Sequence, residues 1–179
     1  LHLNTYQEEL AANEDAVAEN IEKTHGYPVF VKPSNMGSSV GISKAKDRGE
    51  LLFALKEALR YDRRIVVERG IDCREVEVGI LGNYEASASC VGEIIPSAEF
   101  YDYTAKYFDG GQSRLCIPAE LSEETSDRIR ALALTAYRLL DCAGFARVDC
   151  FIEKTTGEIY ISEINTIPGF TRYSMFPLL

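Results

Sequence analysis

Apolar residues recur near helical spacing between residues 6 and 24, at Leu10, Val17 and Ile21, and Gly26 followed by Pro28 supplies a stop, so a surface helix is predicted there. Pro28-Val29-Phe30-Val31-Lys32-Pro33 then reads as a strand. A loop of small residues, 34–39, leads to a second short strand from Val40, and the pair forms a hairpin with a wide tip. Asp47 with Glu50 three residues on resembles a capping box, opening a helix whose Leu51, Leu52, Leu55 and Leu59 share one face. Strands follow over 64–69, 74–81 and 85–95, with Gly82-Asn83 turning between the last two. Residues 96–113 carry aromatics without either period and end near Gly110-Gly111, which reads as a long loop. Ser122 to Leu140 is a second amphipathic helix stopped near Gly144, and strands over 147–153 and 159–165 flank Thr155-Thr156-Gly157-Glu158. Strands and helices mix without regular βαβ alternation, so the fold class is α+β rather than a Rossmann sheet.

Composition narrows the function more than the fold. The 179 residues, 46% of them hydrophobic, suffice for one or two compact domains. A formal charge of −9, with no local cluster of Lys or Arg, opposes the counterion release that drives nucleic-acid binding. No apolar run approaches the roughly twenty residues that cross a bilayer, and no signal pattern opens the chain. A soluble cytoplasmic protein without membrane or nucleic-acid partners is the expectation. The cysteines at 73, 90, 116, 142 and 150 are an odd set with no C-x-x-C and read as buried thiols. His2 and His25 read as surface residues, and with no thiolate cluster beside them a zinc site is hard to assemble.

Candidate chemistry gathers on the last two strands. An antiparallel register centred on Thr156 sets Asp149 opposite Glu163 and Arg147 opposite Asn165, all on one face. The other face receives Val148 with Ile164, Cys150 with Ser162 and Ile152 with Tyr160, which suits a core. Two carboxylates and an amide oxygen form the oxygen-rich set that holds magnesium, with Arg147 facing the same anionic ligand. A solvated polar face of an antiparallel sheet would produce the same alternation. Gly169, in the stretch 166–171, permits a backbone that aims an N–H at an oxyanion, and an ordinary exit turn has the same composition.

Two further places could meet a nucleotide. Lys32 ends a strand before the Gly- and Ser-bearing loop, whose N–H groups and hydroxyls can surround phosphate oxygens, although it is not a Walker A loop. A flexible hairpin tip has the same residues. Glu68 closes the apolar run 65–67 and Glu75 opens the next strand, so a hinge between them could bring both to one cleft; alternatively both are solvated strand ends.

Four ordered blocks, residues 31–41 (VKPSNMGSSVG), 100–107 (FYDYTAKY), 144–149 (GFARVD) and 163–171 (EINTIPGFT), resemble D-alanine:D-alanine ligases of the ATP-grasp superfamily over nearly the whole chain. The resemblance implies two α+β subdomains sandwiching the nucleotide, a central one over 1–70 and a C-terminal one over 71–179. It implies that Lys32 and Lys106 contact ATP phosphates, Glu68 with the backbone near Arg69 and Ile71 the adenine, and Glu75 the ribose. Ser38 and Ser39 belong to the loop closing on the phosphates. Asp149, Glu163 and Asn165 would hold two Mg2+ ions, with Mn2+ as an alternative. Arg147 and the Gly169 N–H would stabilise the tetrahedral intermediate, Ser174 and the Met175 backbone would bind the second D-alanine's carboxylate, and residues 96–113 would close as a lid with Tyr107 near that substrate.

The activity implied is phosphorylation of one D-alanine carboxylate by ATP, then attack of a second D-alanine amine on the acyl phosphate, for peptidoglycan in the bacterial cytoplasm. Tyr107 and Met175 favour D-alanine over D-serine or D-lactate as second substrate. The resemblance also implies an amino-terminal domain binding the first D-alanine and a closing helix, neither of which matches residues here, and a homodimer of the full-length enzyme. The expectation is therefore a fragment that binds nucleotide and is inactive alone. The rival readings are a non-catalytic nucleotide-binding module and another ATP-grasp ligase acting on a different carboxylate.

Overall fold

The computed structural model describes residues 2–37, 39–95, 114–171 and 174–179, and these fall into two compact units, one up to Ile71 and one from Asp72 onward. The first unit opens with a short strand, β1 (His2–Tyr6), and two helices, α1 (Gln7–Ala12) and α2 (Glu14–His25). The single helix expected over 6–24 is therefore broken. The break is at Asn13, whose extended backbone ends α1 while its side chain accepts from the Ala16 N–H at 3.0 Å and starts α2. Asn competes with the helix by hydrogen-bonding locally, which is why it sits at this boundary.

Next come β2 (Val29–Pro33), β3 (Ser43–Ala45), α3 (Arg48–Ala58) and β4 (Arg64–Arg69). The sheet order is β1-β4-β2-β3, each neighbouring pair antiparallel. Val29, Val31, Ile65 and Val67 point to the core formed with Ile21 of α2 and Leu51 and Leu55 of α3, leaving Phe30, Lys32, Val66 and Glu68 on the outer face. Asp47 caps α3 by accepting from the Glu50 N–H, as the sequence predicts. The hairpin of β2 and β3 is present, but its second strand begins at Ser43 rather than Val40. Ser39 and Gly41 both have positive φ, 61° and 74°, which turns the chain where a strand would need extended backbone.

The second unit is a five-stranded antiparallel sheet of order β7-β6-β5-β8-β9 covered on one face by a helix. Its elements are β5 (Cys73–Leu81), β6 (Ser87–Ile95), β7 (Arg114–Cys116), α4 (Glu123–Leu139), β8 (Phe145–Glu153) and β9 (Ile159–Asn165), followed by a single 3-10 turn over Phe176–Leu178. Ile129, Ala133 and Tyr137, four residues apart on α4, bury against Val76, Val78, Val91, Ala146 and Val148 of the sheet. Tyr137 is fully buried because its hydroxyl donates to the Gly82 carbonyl at 2.8 Å. Among the described residues no helix is long and apolar enough to cross a membrane.

Two expectations about single residues change. Only Cys150 is buried; Cys73, Cys116 and Cys142 are half-buried and Cys90 is exposed, all with free thiols. His25 is half-buried, and burial above all, with neighbouring positive charge including that of Arg69, lowers its pKa from the usual range. Residues 96–113, read as a lid, lie outside the described residues, with Lys106 and Tyr107 among them; so does Ser38.

Candidate functional site

The second sheet carries two adjacent rows of register partners on the face away from α4. Gly92, Glu77, Asp149 and Glu163 form one row across β6, β5, β8 and β9, and Gly79, Arg147 and Asn165 form the next. Strand alternation explains the sharing of a face: Val76, Val78, Ala146 and Val148 turn toward α4, so the residues between them must turn away. The expected pairs Arg147 with Asn165, Val148 with Ile164 and Asp149 with Glu163 are all present.

Past Asp149 the expected register fails. Cys150 pairs with Ile161 and Ile152 with Ile159, not with Ser162 and Tyr160, because a bulge leaves Ser162 as an extra residue in β9. A bulge adds one residue to one strand and moves the centre of the turn by half a residue while the pairs beyond it keep their partners. The acidic pair is thus unaffected.

Arg147 forks onto Asp149, Nε donating to Oδ1 at 2.6 Å and one terminal nitrogen to Oδ2 at 2.7 Å. Its Nε also lies 3.0 Å from Glu77 Oε2. Asn165 Nδ2 donates to Asp149 Oδ2 and to Glu163 Oε1, both at 3.1 Å, so one amide spans the two carboxylates. Burial raises the Asp149 carboxyl above its ordinary range; the Arg147 fork and charge pull it back, and the Glu163 charge and hydrogen bond push it up again. For Arg147 burial pushes downward, but the bond to Asp149 and the charges of Asp149, Glu77 and Glu163 outweigh it and hold the guanidinium charged.

Two neighbouring carboxylates spanned by one amide are a pair whose mutual repulsion a divalent cation would relieve, and an all-oxygen donor set suits a hard ion such as Mg2+. Asn165 now turns its nitrogen to the carboxylates; a half-turn of the amide would present Oδ1 instead. No group of three His, Cys, Asp or Glu gathers in metal-holding geometry among the described residues, so Asn165 is needed to complete a set of three. Glu77 was not singled out from the sequence. Its signal was there in Glu75-Val76-Glu77-Val78, where both acids share the face opposite two buried valines.

The chain after β9 is held over this face by packing. Phe170 meets Phe145 edge-on at 5.6 Å, and Phe176 lies within 5.5 Å of Phe145 and 5.3 Å of Phe170. Met175 is buried over Gly92, and Phe176 lies over Gly79, glycines of the central strands that leave room for them. Ser174 Oγ accepts from the Thr171 N–H at 3.0 Å, and the Ser174 N–H donates to the Thr171 carbonyl at 3.0 Å. Gly169 is not among the positive-φ glycines, and a Cβ there would stand 2.8 Å from Ser174 Oγ, so that hydroxyl would have to turn aside.

In the first unit Lys32 and Glu68 come together, Nζ to Oε1 at 2.6 Å, on the outer face of the sheet. Lys44 lies over the Phe30 ring on the same face, 5.9 Å from its centroid. The small-residue loop is rooted by Asn35, whose N–H and Nδ2 donate to Asp62, and by Ser34, which accepts from Arg64 Nε. Ser39 lies in that loop, Arg69 ends β4, and Ile71 follows it, half-buried. Glu75 belongs to the second unit, two residues along β5 from Glu77.

Comparison with known proteins agrees on one family. The family model "D-ala D-ala ligase C-terminus" matches residues 3–179. A D-alanine–D-alanine ligase of Thermoanaerobacter sp. (strain X514) is 55% identical over 165 residues, 92% of this chain and 46% of that protein. Its counterpart in Acetivibrio thermocellus is 54% identical over 173 residues, 97% of this chain and 46% of that protein. Among solved structures, the VanG D-Ala:D-Ser ligase of Enterococcus faecalis superposes with a TM-score of 0.84 at 39% identity, over 99% of this chain and 50% of that one. The D-alanine-D-alanine ligase of Coxiella burnetii gives 0.80 at 32% identity, over 99% and 45%. The chain thus spans about half the length of the curated relatives it matches.

Proposed function

This chain belongs to the D-ala D-ala ligase C-terminus family, an α+β fold of the ATP-grasp type, and from that premise we propose that it is the ATP- and Mg2+-binding part of a ligase joining two D-alanines through an acyl phosphate. The observation that carries the reading is the single patch on which Arg147, Asp149, Glu163 and Asn165 meet. Asp149, Glu163 and a turned Asn165 would hold the cation. Bound there, Mg2+ would neutralise triphosphate charge as phosphoryl transfer proceeds.

The chain's own residues then divide the work. Lys32, on the outer face of the first unit, exchanges Glu68 for a phosphate oxygen, and Glu68 with the backbone near Arg69 and Ile71 takes the adenine. Ser39, with Ser38 and Lys106, adds phosphate contacts, and Glu75 takes the ribose. Arg147 and the Gly169 N–H receive the oxyanion formed when the second amine attacks. Ser174 and the Met175 backbone, fixed by the aromatic cluster, bind the second carboxylate, with Tyr107 beside it. D-alanine is preferred as second substrate because the curated relatives at 54–55% identity are D-alanine–D-alanine ligases, whereas the D-Ala:D-Ser enzyme is 39% identical.

The test is ADP formation by the complete ligase with D-alanine, D-serine or D-lactate as second substrate. D-alanine should be the fastest, and Arg147→Ala should lower turnover by about a hundredfold or more. Preference for another acceptor, or turnover of Arg147→Ala near wild type, would contradict the assignment.

A further inference from the structure

Glu77 is 6% exposed, yet it carries a charge-bearing group into the second sheet. A carboxylate so buried stays ionised only beside a partner, and Arg147 Nε is 3.0 Å away. The same sheet holds an ordinary version of this device: Arg74 forks onto Glu93, also buried, at 2.7 and 2.6 Å. The Glu77 pair differs in one respect. Its arginine is already committed to a second carboxylate, with both Asp149 oxygens occupied by the Arg147 fork.

We propose that Glu77 is a positioning residue that keeps Arg147 in place when Asp149 turns its oxygens to a cation. This rests on the ligase reading for its catalytic consequence. Glu77 is the register partner of Asp149 on the β5 side, and Glu163 is its partner on the β9 side. Adjacent strands are about 4.8 Å apart, so Glu77 and Glu163 stand on opposite flanks of Asp149, roughly two strand spacings from each other. A cation held by Asp149 and Glu163 therefore lies on the far flank from Glu77. A cation drawing on Asp149's lone pairs would also repel the guanidinium, and both effects would weaken the fork. Glu77 then supplies the remaining anchor at Nε, and the terminal nitrogens are released to meet an oxyanion. Asp149 is thus shared between metal and arginine, with Glu77 reserved for the arginine.

Glu77→Gln keeps the shape and removes the charge. In the complete ligase it should lower kcat about tenfold or more, as expected for loss of a buried charged partner, with KM for ATP and Mn2+ affinity within about twofold of wild type. In the present chain, the Arg147 Nε–H resonance should resist solvent exchange in both proteins without cation, where Asp149 holds it. With Mg2+ and a non-hydrolysable ATP analogue it should stay protected in wild type and be lost in Glu77→Gln. The double variant Glu77→Gln, Arg147→Gln removes the pair without stranding a charge, and should turn over no more slowly than Arg147→Gln alone. Protection indifferent to the variant in the cation complex, Mn2+ affinity falling with kcat, or a further loss in the double variant would each overturn the proposal. A wild-type enzyme without D-alanine-dependent turnover would refute the ligase reading alone, leaving the exchange measurement to judge Glu77.

Discussion

Cys90 is the exposed thiol of the five, on the solvent side of β6, whereas burial pushes the Cys73 thiol up to about 11 and the Cys150 thiol up to about 12. Only the thiolate is nucleophilic, so at pH 8 the last two are both shielded and protonated. Iodoacetamide at that pH should alkylate Cys90 first, read by mass spectrometry of timed digests, and Cys150 should label only on unfolding. Faster labelling of Cys150 would mean that the α4–sheet core is open. The five cysteines also show where residue-scale reading of the sequence stops. Hydrophobic runs placed Cys150 correctly because Val148 and Ile152 flank it with strand period, but Cys90 lies in an equally apolar run, and its exposure depends on which strand face α4 covers. Glu77 is the converse case: an acid in an apolar strand looks like a solvated outer position until Arg147, diagonally across on β8, is known.

At the scale of elements, close backbone approach decides which glycines matter. Gly70 donates to the Pro28 carbonyl at 2.8 Å, closing β2 against β4, and a Cβ there would stand 2.8 Å from that same oxygen. Backbone cannot step aside as a side chain end can, so Gly70→Ala should cost about 1–3 kcal/mol in urea denaturation, the usual range for overpacking. Gly79→Ala, whose Cβ would meet its neighbours at 3.4 Å, should be much milder. Equal midpoints for the two variants would show that the β2–β4 junction yields. The acidic hairpin was legible because two residues equally far from a turn must face each other, and Arg147, Asp149, Glu163 and Asn165 satisfied that rule together. The bulge at Ser162 was not legible, since either register sets mostly apolar β9 residues opposite the buried positions of β8. Nor were β1 and β7, which are short and largely polar and are defined by the strands they pair with. The break at Asn13 did have a signal, an Asn followed by Glu14 and Asp15, the composition of a helix start.

The whole molecule is two units, each with its own hydrophobic core and its own cluster of charged groups on a sheet face turned from the helices. The proposed chemistry assigns the Lys32–Glu68 pair to nucleotide and the acidic hairpin to the metal-bound phosphates. Everything catalytic in that assignment depends on the hairpin holding a divalent cation. The direct test is Mn2+ binding followed by electron paramagnetic resonance, with a non-hydrolysable ATP analogue present, in wild type, Asp149→Asn and Glu163→Gln. The account predicts a saturable site in wild type and an affinity lowered about tenfold or more in each variant, the order of loss expected when a ligand's charge is removed. Equal Mn2+ affinity in all three proteins would contradict it.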